Sequence, residues 1–375
     1  MHEDIPSNCG RSGINCGRHR RLAMLGIFSA AVLTVAGCQF PAPSPGDGAS
    51  FSKVAAAEPN QAWAVGHYDQ NGQSHALLEY WNGKAWQLIS VDSRATWYAD
   101  VAAASTSDVW VVGPDSSAHW NGQIWRAVSN PKDTQLTAVS IGRDGAARAL
   151  GYSHNASQVY SWTKNGWSRM HSQPFQGATR TPKRSSRTIA DVSVLTANDL
   201  WVVSGTDLAH WNGQGWKTFH APLPSNAYLA AISAHSHGDV WAVGTETTVF
   251  EPTNRYAYDP IALHFTNGRL VRVPTPGSIA DGDLLTDVDA SGAQVWAVGH
   301  ADEFNGLNTL QVIRKWDGNE FAPQPTQDIY SDDSHFAIDQ YLSGVAVSGG
   351  KTWSVGAYQP QLGPLKVFVD LRPEG

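Results

Sequence analysis

Charged residues are scarce in this chain, and no apolar run is long enough to form an ordinary membrane-spanning helix. Lys, Arg, Asp and Glu make up 16% of the 375 residues, and the net charge at pH 7 is −7. Because a nucleic-acid surface needs an excess of basic residues, no nucleic-acid partner is expected. A long helical period is also absent outside the N-terminus, which argues against a helical bundle.

Glycine and tryptophan are abundant instead. The chain holds 35 Gly and 16 Trp. Glycine permits tight turns and large aromatic residues are favoured in strands, so this composition favours an all-β fold. A chain of 375 residues is long enough for two average domains or for one large array of repeats.

The first 37 residues have the pattern of an export signal. Arginines between positions 18 and 21 precede an apolar run from Leu22 to Ala36, which is too short to span a bilayer comfortably. The run ends in VAGC, residues 35–38, which resembles a bacterial lipobox. The resemblance implies cleavage before Cys38, a lipid on its sulfur, and attachment to the outer, extracytoplasmic side of the cell membrane. An ordinary secretory signal is the alternative, and the export route, general or twin-arginine, stays open.

Cleavage at this site would leave no cysteine for a disulfide. Cys9 and Cys16 would leave with the signal, and Cys38 would carry the lipid. The fold would then rest on its core alone. Residues 38–50 are rich in Pro, Gly and Ser and are predicted to form a tether, so the predicted domain covers residues 51–375.

Two short motifs recur along the rest of the chain. One is a hairpin motif, WNGKAW at residues 81–86, repeated at 120–125 and 211–216 and, more loosely, from Trp162, Phe265 and Trp316. The other is an anchor motif of the WAVG type, with a degenerate copy in which Arg148 replaces tryptophan. The six anchor tryptophans are Trp63, Trp110, Trp201, Trp241, Trp296 and Trp353.

The motifs divide the chain into seven similar units. Successive anchors are 38 to 57 residues apart, and a short apolar strand precedes each one. Each unit is therefore predicted to form four short strands, with Asn-Gly or Asp-Gly supplying positive φ for a two-residue turn in the last hairpin. Such a turn would place Trp81 and Trp86 diagonally on one face of that hairpin. Seven four-stranded antiparallel units predict a seven-bladed β-propeller. The recurring tryptophans are predicted to pack between blades; direct ligand contact is the alternative.

The DVWAVG…HWNGxxW pattern resembles the propeller repeats of secreted and lipid-anchored bacterial proteins, common in actinobacteria. The resemblance covers residues 51 to about 371. It implies the propeller fold and an exported location, but no particular activity.

The seventh unit is predicted to be incomplete. Its third strand falls at residues 366–371, with Phe368 in the position of the hairpin aromatic residue. The chain ends at Gly375, which leaves little for a fourth strand. The segment after Cys38 is too rich in proline to be a good substitute strand.

Length variation among the units falls on one side of the predicted ring. The connections between strands 2 and 3, and between strand 4 and the next strand 1, emerge together because the strands are antiparallel. We call this side the variable face, and the opposite side, with the short 1–2 and 3–4 turns, the turn face. Binding groups concentrate on such connections of a rigid scaffold.

Eleven side chains of the variable face are candidate ligand contacts. They are Trp97, Tyr228 and Tyr341 around the channel mouth; Phe250, Tyr256, Tyr258, Phe304, Tyr330 and Phe336 in the longer loops; and His67 and His300 directly after strand 2. Amphipathic aromatic groups suit sugar stacking or protein contact. The alternative is that they cover the loops as small satellite cores.

Catalytic signatures are missing from the sequence. It contains no GxSxG elbow, no P-loop and no dinucleotide fingerprint. The HSHGD stretch at residues 235–239 is predicted to be a 1–2 turn, with a metal site as the alternative. No metal and no cofactor are predicted.

The predicted function is non-catalytic binding of an envelope protein or a polysaccharide. The main alternative is a glycan-active enzyme, a glycosidase or lyase, with two carboxylates at the channel mouth. Its candidate carboxylates are Glu246, Glu251, Asp259, Asp302 and Glu303. A passive scaffold in an envelope complex is the third alternative.

Overall fold

The computed structural model describes residues 38–39, 47–91, 94–154, 156–175, 189–250, 255–277, 282–302, 309–326, 339–360 and 363–373. All regular elements in these ranges are β-strands, numbered β1 to β28 along the chain. Within these described ranges, no helix is long and apolar enough to cross a membrane.

The first strand, β1 (Cys38–Gln39), belongs to the last blade. Blade 1 contains β2 (Asp47–Glu58), β3 (Gln61–Gln70), β4 (Gln73–Trp81) and β5 (Trp86–Leu88). Blade 2 contains β6 (Asp100–Ser105), β7 (Asp108–Val112), β8 (Ser117–Trp120) and β9 (Trp125–Val128). Blade 3 contains β10 (Gln135–Ile141), β11 (Ala147–Ser153), β12 (Ala156–Thr163) and β13 (Gly166–Arg169). Blade 4 contains β14 (Ile189–Thr196), β15 (Asp199–Ser204), β16 (Asp207–Trp211) and β17 (Trp216–His220).

Three blades complete the ring. Blade 5 contains β18 (Ala227–Ser236), β19 (Asp239–Phe250), β20 (Arg255–Thr266) and β21 (Arg269–Val273). Blade 6 contains β22 (Asp283–Ser291), β23 (Gln294–Asp302), β24 (Thr309–Trp316) and β25 (Phe321–Pro323). Blade 7 contains β26 (Asp339–Ser348), β27 (Lys351–Gln359) and β28 (Lys366–Pro373).

The seven-bladed propeller predicted from the repeats is confirmed. Blades 1 to 5 are separate four-stranded antiparallel sheets in chain order. Blades 6 and 7 count as one sheet because a single parallel bridge joins Thr309 to Asp339.

Blade 7 is completed by the N-terminal segment. Strand β28 pairs with β27 on one side and with β1 on the other, in the register Cys38↔Leu371 and Gln39↔Asp370. The substitute strand that the sequence argued against therefore exists. A strand of two residues needs few ladder hydrogen bonds, so a proline-rich neighbourhood does not prevent it. Strand β2 also begins at Asp47, inside the predicted tether.

The prediction for Phe368 is wrong. In the other blades the first hairpin aromatic residue pairs with the residue before the anchor, as Trp81 does with Ala62. Strand β28 continues to Pro373, and its register places Arg372, not Phe368, at that position, opposite Thr352. Phe368 pairs with Gly356 and packs in a cluster with Trp296 of blade 6.

The recurring tryptophans form wedges between blades, as predicted. Trp81 and Trp86 of blade 1 each place their ring centroids 5.7 Å from that of Trp353, the anchor of blade 7. The anchors of blades 2 and 5 meet the hairpin aromatic residues of blades 3 and 6 in the same way. Each such aromatic pair contributes about 0.5–1.5 kcal/mol beyond the area it buries, so the repeat is a packing device.

The hairpin turns differ from the prediction in one detail. Trp81 and Trp86 are direct cross-strand partners, and four residues lie between them instead of a two-residue turn. The Asn82 side-chain oxygen accepts hydrogen bonds from the backbone N–H groups of Lys84 and Ala85, and Gly83 has φ of 90°. This side-chain turn allows the longer connection. It recurs at Asn121, Asn212 and Asp317.

The glycine of the anchor motif makes room for the neighbouring inner strand. A Cβ on Gly244 would lie 2.0 Å from the carbonyl oxygen of Tyr228, and a Cβ on Gly356 would lie 2.0 Å from that of Tyr341. No side chain fits at such a distance, so WAVG needs its glycine where the inner strand begins.

The inner strands line a channel of about 320 Å³ along the ring axis. One cation, Lys53, lies there among carboxylates, and its Nζ is 2.5 Å from Asp287 Oδ1. The carboxylates also tie blades together: Asp100 accepts from the N–H of Val139 in blade 3, and Asp191 from that of Ile232 in blade 5. These bonds link inner strands that share no ladder.

Burial affects the charges of this network. It raises the pKa of Asp100 to about 8, against the attraction of Lys53. It raises the pKa of Asp191 and of Asp289 to about 6. Burial alone lowers the pKa of Lys53, but Asp287, Asp191 and Asp100 raise it above its ordinary value. Lys53 is therefore a counter-charge to the buried carboxylates of the channel.

Candidate functional site

The variable face carries two-stranded ribbons where the sequence predicted loops. In blade 1, strands β3 and β4 meet at Asn71-Gly72, whose φ values of 53° and 73° suit a tight hairpin turn. In blade 5, strands β19 and β20 reach 12 residues each and stay paired to Phe250↔Arg255. The extra residues therefore extend strands, because each added pair of residues gains ladder hydrogen bonds.

The ribbon of blade 5 contains three of the candidate residues. Tyr256 pairs with Val249 and Tyr258 with Thr247; the side chains of Phe250 and Tyr256 lie outside the described part. Tyr258 is half-buried, and its backbone forms a bridge with Gly282 at the start of blade 6. Three other candidates, Phe304, Tyr330 and Phe336, lie outside the described residues.

The rim aromatic residues do not form one platform. Trp97 is 41% exposed on blade 2 and Tyr228 is 42% exposed on blade 5. The Trp97 Nε1–H donates to Ser52 Oγ at 2.8 Å, which fixes the ring beside blade 1. Tyr341 is only half-exposed and lies at the seam of the ring.

Tyr341 lies near both candidate histidines, His67 and His300. Its ring centroid lies 6.5 Å from that of His300, and its hydroxyl hydrogen-bonds Ser50, which is 3.3 Å from His67 Nδ1. His300 Nδ1 is buried with no hydrogen-bond partner, and burial lowers the pKa of its ring. Burial likewise raises the pKa of Tyr341. Tyr341, His300, Ser50 and His67 therefore connect blades 6, 7 and 1. They form a partly enclosed cluster and not an open aromatic surface.

A cleft of about 860 Å³ opens on the variable face between blades 2 and 3. Its walls are the 2–3 connections of both blades and the crossing between them, residues 114–116, 127–135 and 152–154, with Arg94 at one end. The Asn130 side chain donates to the carbonyl oxygens of Gly113 and Pro114, and Asp115 accepts from Thr96. These bonds make the walls rigid, and Trp97 follows Thr96 directly.

Tyr152 is the aromatic residue of this cleft and was missed by the sequence analysis. Its side chain is 38% exposed. It follows the glycine of the degenerate anchor, in the same register as His67 and His300 after their anchors. That register was the available signal, and the loss of tryptophan at Arg148 concealed it.

The cleft walls carry charges of both signs. Arg94 and Lys132 are the cations, and Asp115 and Asp133 are the anions. Backbone and side-chain polar groups make up much of the remaining lining. Such a surface suits a ligand that alternates donors, acceptors and charges.

One pair of candidate carboxylates lies together. Glu246 and Asp259 are direct partners in the blade 5 ribbon, three blades from Trp97 around the ring. Glu246 faces Arg272, with Oε2 3.4 Å from Nη1, and Asp259 is exposed. Asp302 is at the end of β23 on blade 6. Glu251 and Glu303 lie outside the described residues.

The histidines before the hairpin aromatic residues have one repeated role. His119, His210 and His264 stack on their anchor tryptophans, with ring centroids 3.8–4.4 Å apart. Each also places Nε2 2.8 Å from an aspartate two residues before that tryptophan. This arrangement closes the turn-face end of three blade seams.

No protein-family model matches this chain, and no curated protein matches it significantly. Solved structures are similar in fold over most of its length. YCF48 bound to a D1 peptide gives a TM-score of 0.53 at 13% identity, covering 91% of this chain and 96% of that one. The RRP9 WD40 repeats give 0.54 at 11% identity, covering 89% and 99%. An ancestral GH74 enzyme gives a TM-score of 0.53 at 13% identity. The match covers 90% of this chain but only 48% of that one, so this chain spans about half of its length.

Proposed function

We propose that this chain is a lipid-anchored, extracytoplasmic binding protein without catalytic activity, which holds a polypeptide segment of an envelope partner in the cleft between blades 2 and 3. The observation that carries the proposal is the cleft itself. Its volume of about 860 Å³ falls within the range of about 300–1,000 Å³ typical of ligand sites.

The lining of the cleft favours a polypeptide. A peptide presents backbone donors and acceptors together with side chains of both charges. The cleft offers complementary groups in Arg94, Lys132, Asp115 and Asp133. Exposed Tyr152 provides an amphipathic anchor, of the kind enriched at binding hot spots. YCF48, a propeller of similar extent, was solved with a bound peptide, which makes this use of the fold a precedent.

The position of Cys38 supports an orientation relative to the membrane. Cys38 pairs with Leu371, which pairs with Trp353 near the 1–2 turn of blade 7. A lipid on Cys38 would therefore leave the outer edge of blade 7 close to the turn face. The variable face would then point away from the bilayer, toward a partner.

The enzyme alternative has weaker support. Its described carboxylate pair, Glu246 and Asp259, is on a ribbon of blade 5 and faces Arg272 instead of meeting over the channel beside Trp97. The scaffold alternative expects a broad apolar patch. The large exposed apolar side chains of the described residues are instead spread over both faces and the outer edge, from Trp97 to Ile124 and Val271.

Selection from a peptide library tests the proposal. The bait is soluble protein 38–375 with Cys38→Ser, compared with the same protein carrying Arg94→Ala and Tyr152→Ala, two residues that line the cleft. We expect selected peptides to bind the parent and to lose about tenfold or more in affinity with the double variant, since each truncated hot-spot side chain costs about 1 kcal/mol or more.

The matched control is Ile124→Ala, an exposed apolar residue in the 3–4 turn of blade 2, on the turn face. Binding should be unchanged in this control. A glycan array run in parallel addresses the polysaccharide alternative: glycan binding lost with Tyr152→Ala, and no peptide selected, would replace the polypeptide with a polysaccharide. Peptide binding that survives the double variant would contradict the assignment of the cleft.

A further inference from the structure

Three potential metal ligands meet on the turn face at the seam of blades 4 and 5. The carboxylate of Asp199 lies between two imidazoles: Oδ1 is 2.8 Å from His210 Nε2, and Oδ2 is 3.2 Å from His237 Nδ1. One ligand atom from each residue lies within 4.8 Å of the other two. The two histidine rings are 4.7 Å apart and nearly perpendicular.

The repeat explains why two of these groups are adjacent. Asp199 begins β15 two residues before Trp201, and His210 is the partner of Trp201 on β16. Residues two apart on a strand share a face, so both groups point toward blade 5 with Trp201. The third group, His237, comes from the 1–2 turn of blade 5, between β18 and β19.

The other seams provide an internal comparison. Blades 2 and 5 have the same His–Asp pair, His119 with Asp108 and His264 with Asp239. The turns that face those pairs, residues 142–146 and 292–293, contain no histidine. His237 is thus an addition to a packing motif that is complete without it. Among the described residues, Asp199, His210 and His237 are the group with metal-binding spacing.

We propose that Asp199, His210 and His237 bind a divalent first-row transition ion, with Zn²⁺ as the representative. Two imidazoles and one carboxylate are a donor set that Zn²⁺ accepts, with bonds of about 2.0–2.2 Å. Ligand atoms of a tetrahedral site with such bonds are about 3.3 Å apart. Asp199 Oδ1 and His210 Nε2 are 2.8 Å apart, which is near that value. His237, whose side chain is 68% exposed and now contacts the other carboxylate oxygen, can move to bring its nitrogen to the same ion.

The site would have one open coordination position. His210 is buried and Asp199 is mostly buried, but His237 faces solvent. Three protein ligands and an accessible fourth position allow the ion to hold a water molecule or a donor atom from a partner. Bound metal would also join blade 4 to blade 5 across their seam.

Titration of the soluble protein with Zn²⁺ and with Co²⁺ tests the inference. The protein, 38–375 with Cys38→Ser and free of any affinity tag, is first dialysed against a chelator. We expect one equivalent of Zn²⁺ to bind with a dissociation constant in the micromolar range or below. We also expect visible absorption bands of four- or five-coordinate Co²⁺, and a melting temperature a few degrees higher at saturating Zn²⁺.

Two variants make the test specific. His237→Ala should weaken binding at least about tenfold while leaving the metal-free melting temperature nearly unchanged, because the side chain is exposed. His235→Ala, two residues earlier on β18, should bind like the parent, because His235 Nδ1 accepts instead from the N–H of Gly292 in blade 6. Absence of stoichiometric binding, binding that survives His237→Ala, or an equal loss in His235→Ala would overturn the inference. Because the cleft is on the opposite face, none of these results affects the proposed binding function.

Discussion

Replacing Glu79 with glutamine is expected to stabilise the folded protein at pH 8 and to have little effect at pH 4. Glu79 lies on β4 in the seam between blades 1 and 7, and it is fully buried. Neither carboxyl oxygen has a hydrogen-bond partner. Its neighbours on the same face, Leu77 and Trp81, belong to the apolar cluster that closes the ring.

The pH dependence follows from the direction of the pKa shift. Burial raises the pKa of Glu79 from 4.5 to about 8. Between these two values, the folded state keeps a proton that the unfolded state has released. The wild-type protein therefore loses stability as the pH rises through this window, at about 1.4 kcal/mol per pH unit. Above about pH 8 the penalty is complete and constant.

The measurement is the free energy of unfolding in urea from pH 4 to pH 9. The advantage of Glu79→Gln should grow with pH between about 5 and 8, to a total on the order of 4 kcal/mol. Other buried acids also make the free energy of unfolding depend on pH. Their contributions are the same in both proteins, so they cancel when the two free energies are subtracted. The control, Glu58→Gln at an exposed end of β2, should show no such growth. An advantage that does not change with pH would contradict the account of Glu79.

Replacing Lys53 with methionine is expected to destabilise the ring, and more strongly at pH 8 than at pH 5. Lys53 is the cation among Asp287, Asp100 and Asp191 in the axial channel. Its removal leaves three acidic groups without a counter-charge. Breaking a buried pair costs about 3–5 kcal/mol. The channel admits some solvent, since the Lys53 side chain is 24% exposed, so we expect the lower part of that range.

The sign of the pH effect is again fixed by raised folded-state pKa values. Burial already raises the pKa of Asp100 to about 8 and that of Asp191 to about 6, and Lys53 lowers both. Without Lys53 these values rise further, so the variant loses stability more steeply between pH 5 and pH 8. Near pH 5 Asp100 and Asp191 are largely protonated, so the loss of stability is smaller.

Thermal unfolding at pH 5 and pH 8 measures the difference. A loss of about 3 kcal/mol should lower the melting temperature by roughly 5–10 °C at pH 8. Lys53→Arg keeps the charge and should retain most of the stability. The double variant Lys53→Met/Asp287→Asn should recover part of the loss, because it removes the nearest unpaired charge. An equal loss at both pH values would show that Lys53 acts by packing and not by charge.

The propeller was predictable from the sequence because each residue of the repeat has a structural role that few other residue types can fill. The anchor tryptophan, its glycine and the hairpin asparagine each meet one local need: a wedge, a close carbonyl and a side-chain turn. Such needs depend on neighbours a few residues away or one blade away, so the sequence shows them directly.

Ring closure was harder to predict because it joins the two ends of the chain. The pairing of Cys38 with Leu371 depends on the position of β28 in space, and nothing in the local sequence of residues 38–39 resembles a strand. A proline-rich composition gave the opposite indication. The same limit applied to Phe368, whose register depends on where β28 ends.

The cleft and the group around Asp199 were not predicted from the sequence for a related reason. The cleft is formed by segments of two blades, and the group around Asp199 by a strand of one blade and a turn of the next. Sequence spacing identified the turn at residues 235–239 but not the partner of His237. Of the rim aromatic residues, Trp97 and Tyr228 are exposed, whereas Tyr341 contacts His300 and Ser50 at the seam of the ring.

Site-specific photo-crosslinking of the full-length protein in the cells that produce it tests the central claim most directly. A photoreactive phenylalanine analogue replaces Tyr152 in the cleft or, in a second variant, Ile124 in the 3–4 turn of blade 2, on the opposite face of the ring. We predict a discrete polypeptide adduct from position 152 and none from position 124. No adduct from position 152, or equal adducts from both positions, would contradict the account of the variable face as the binding surface.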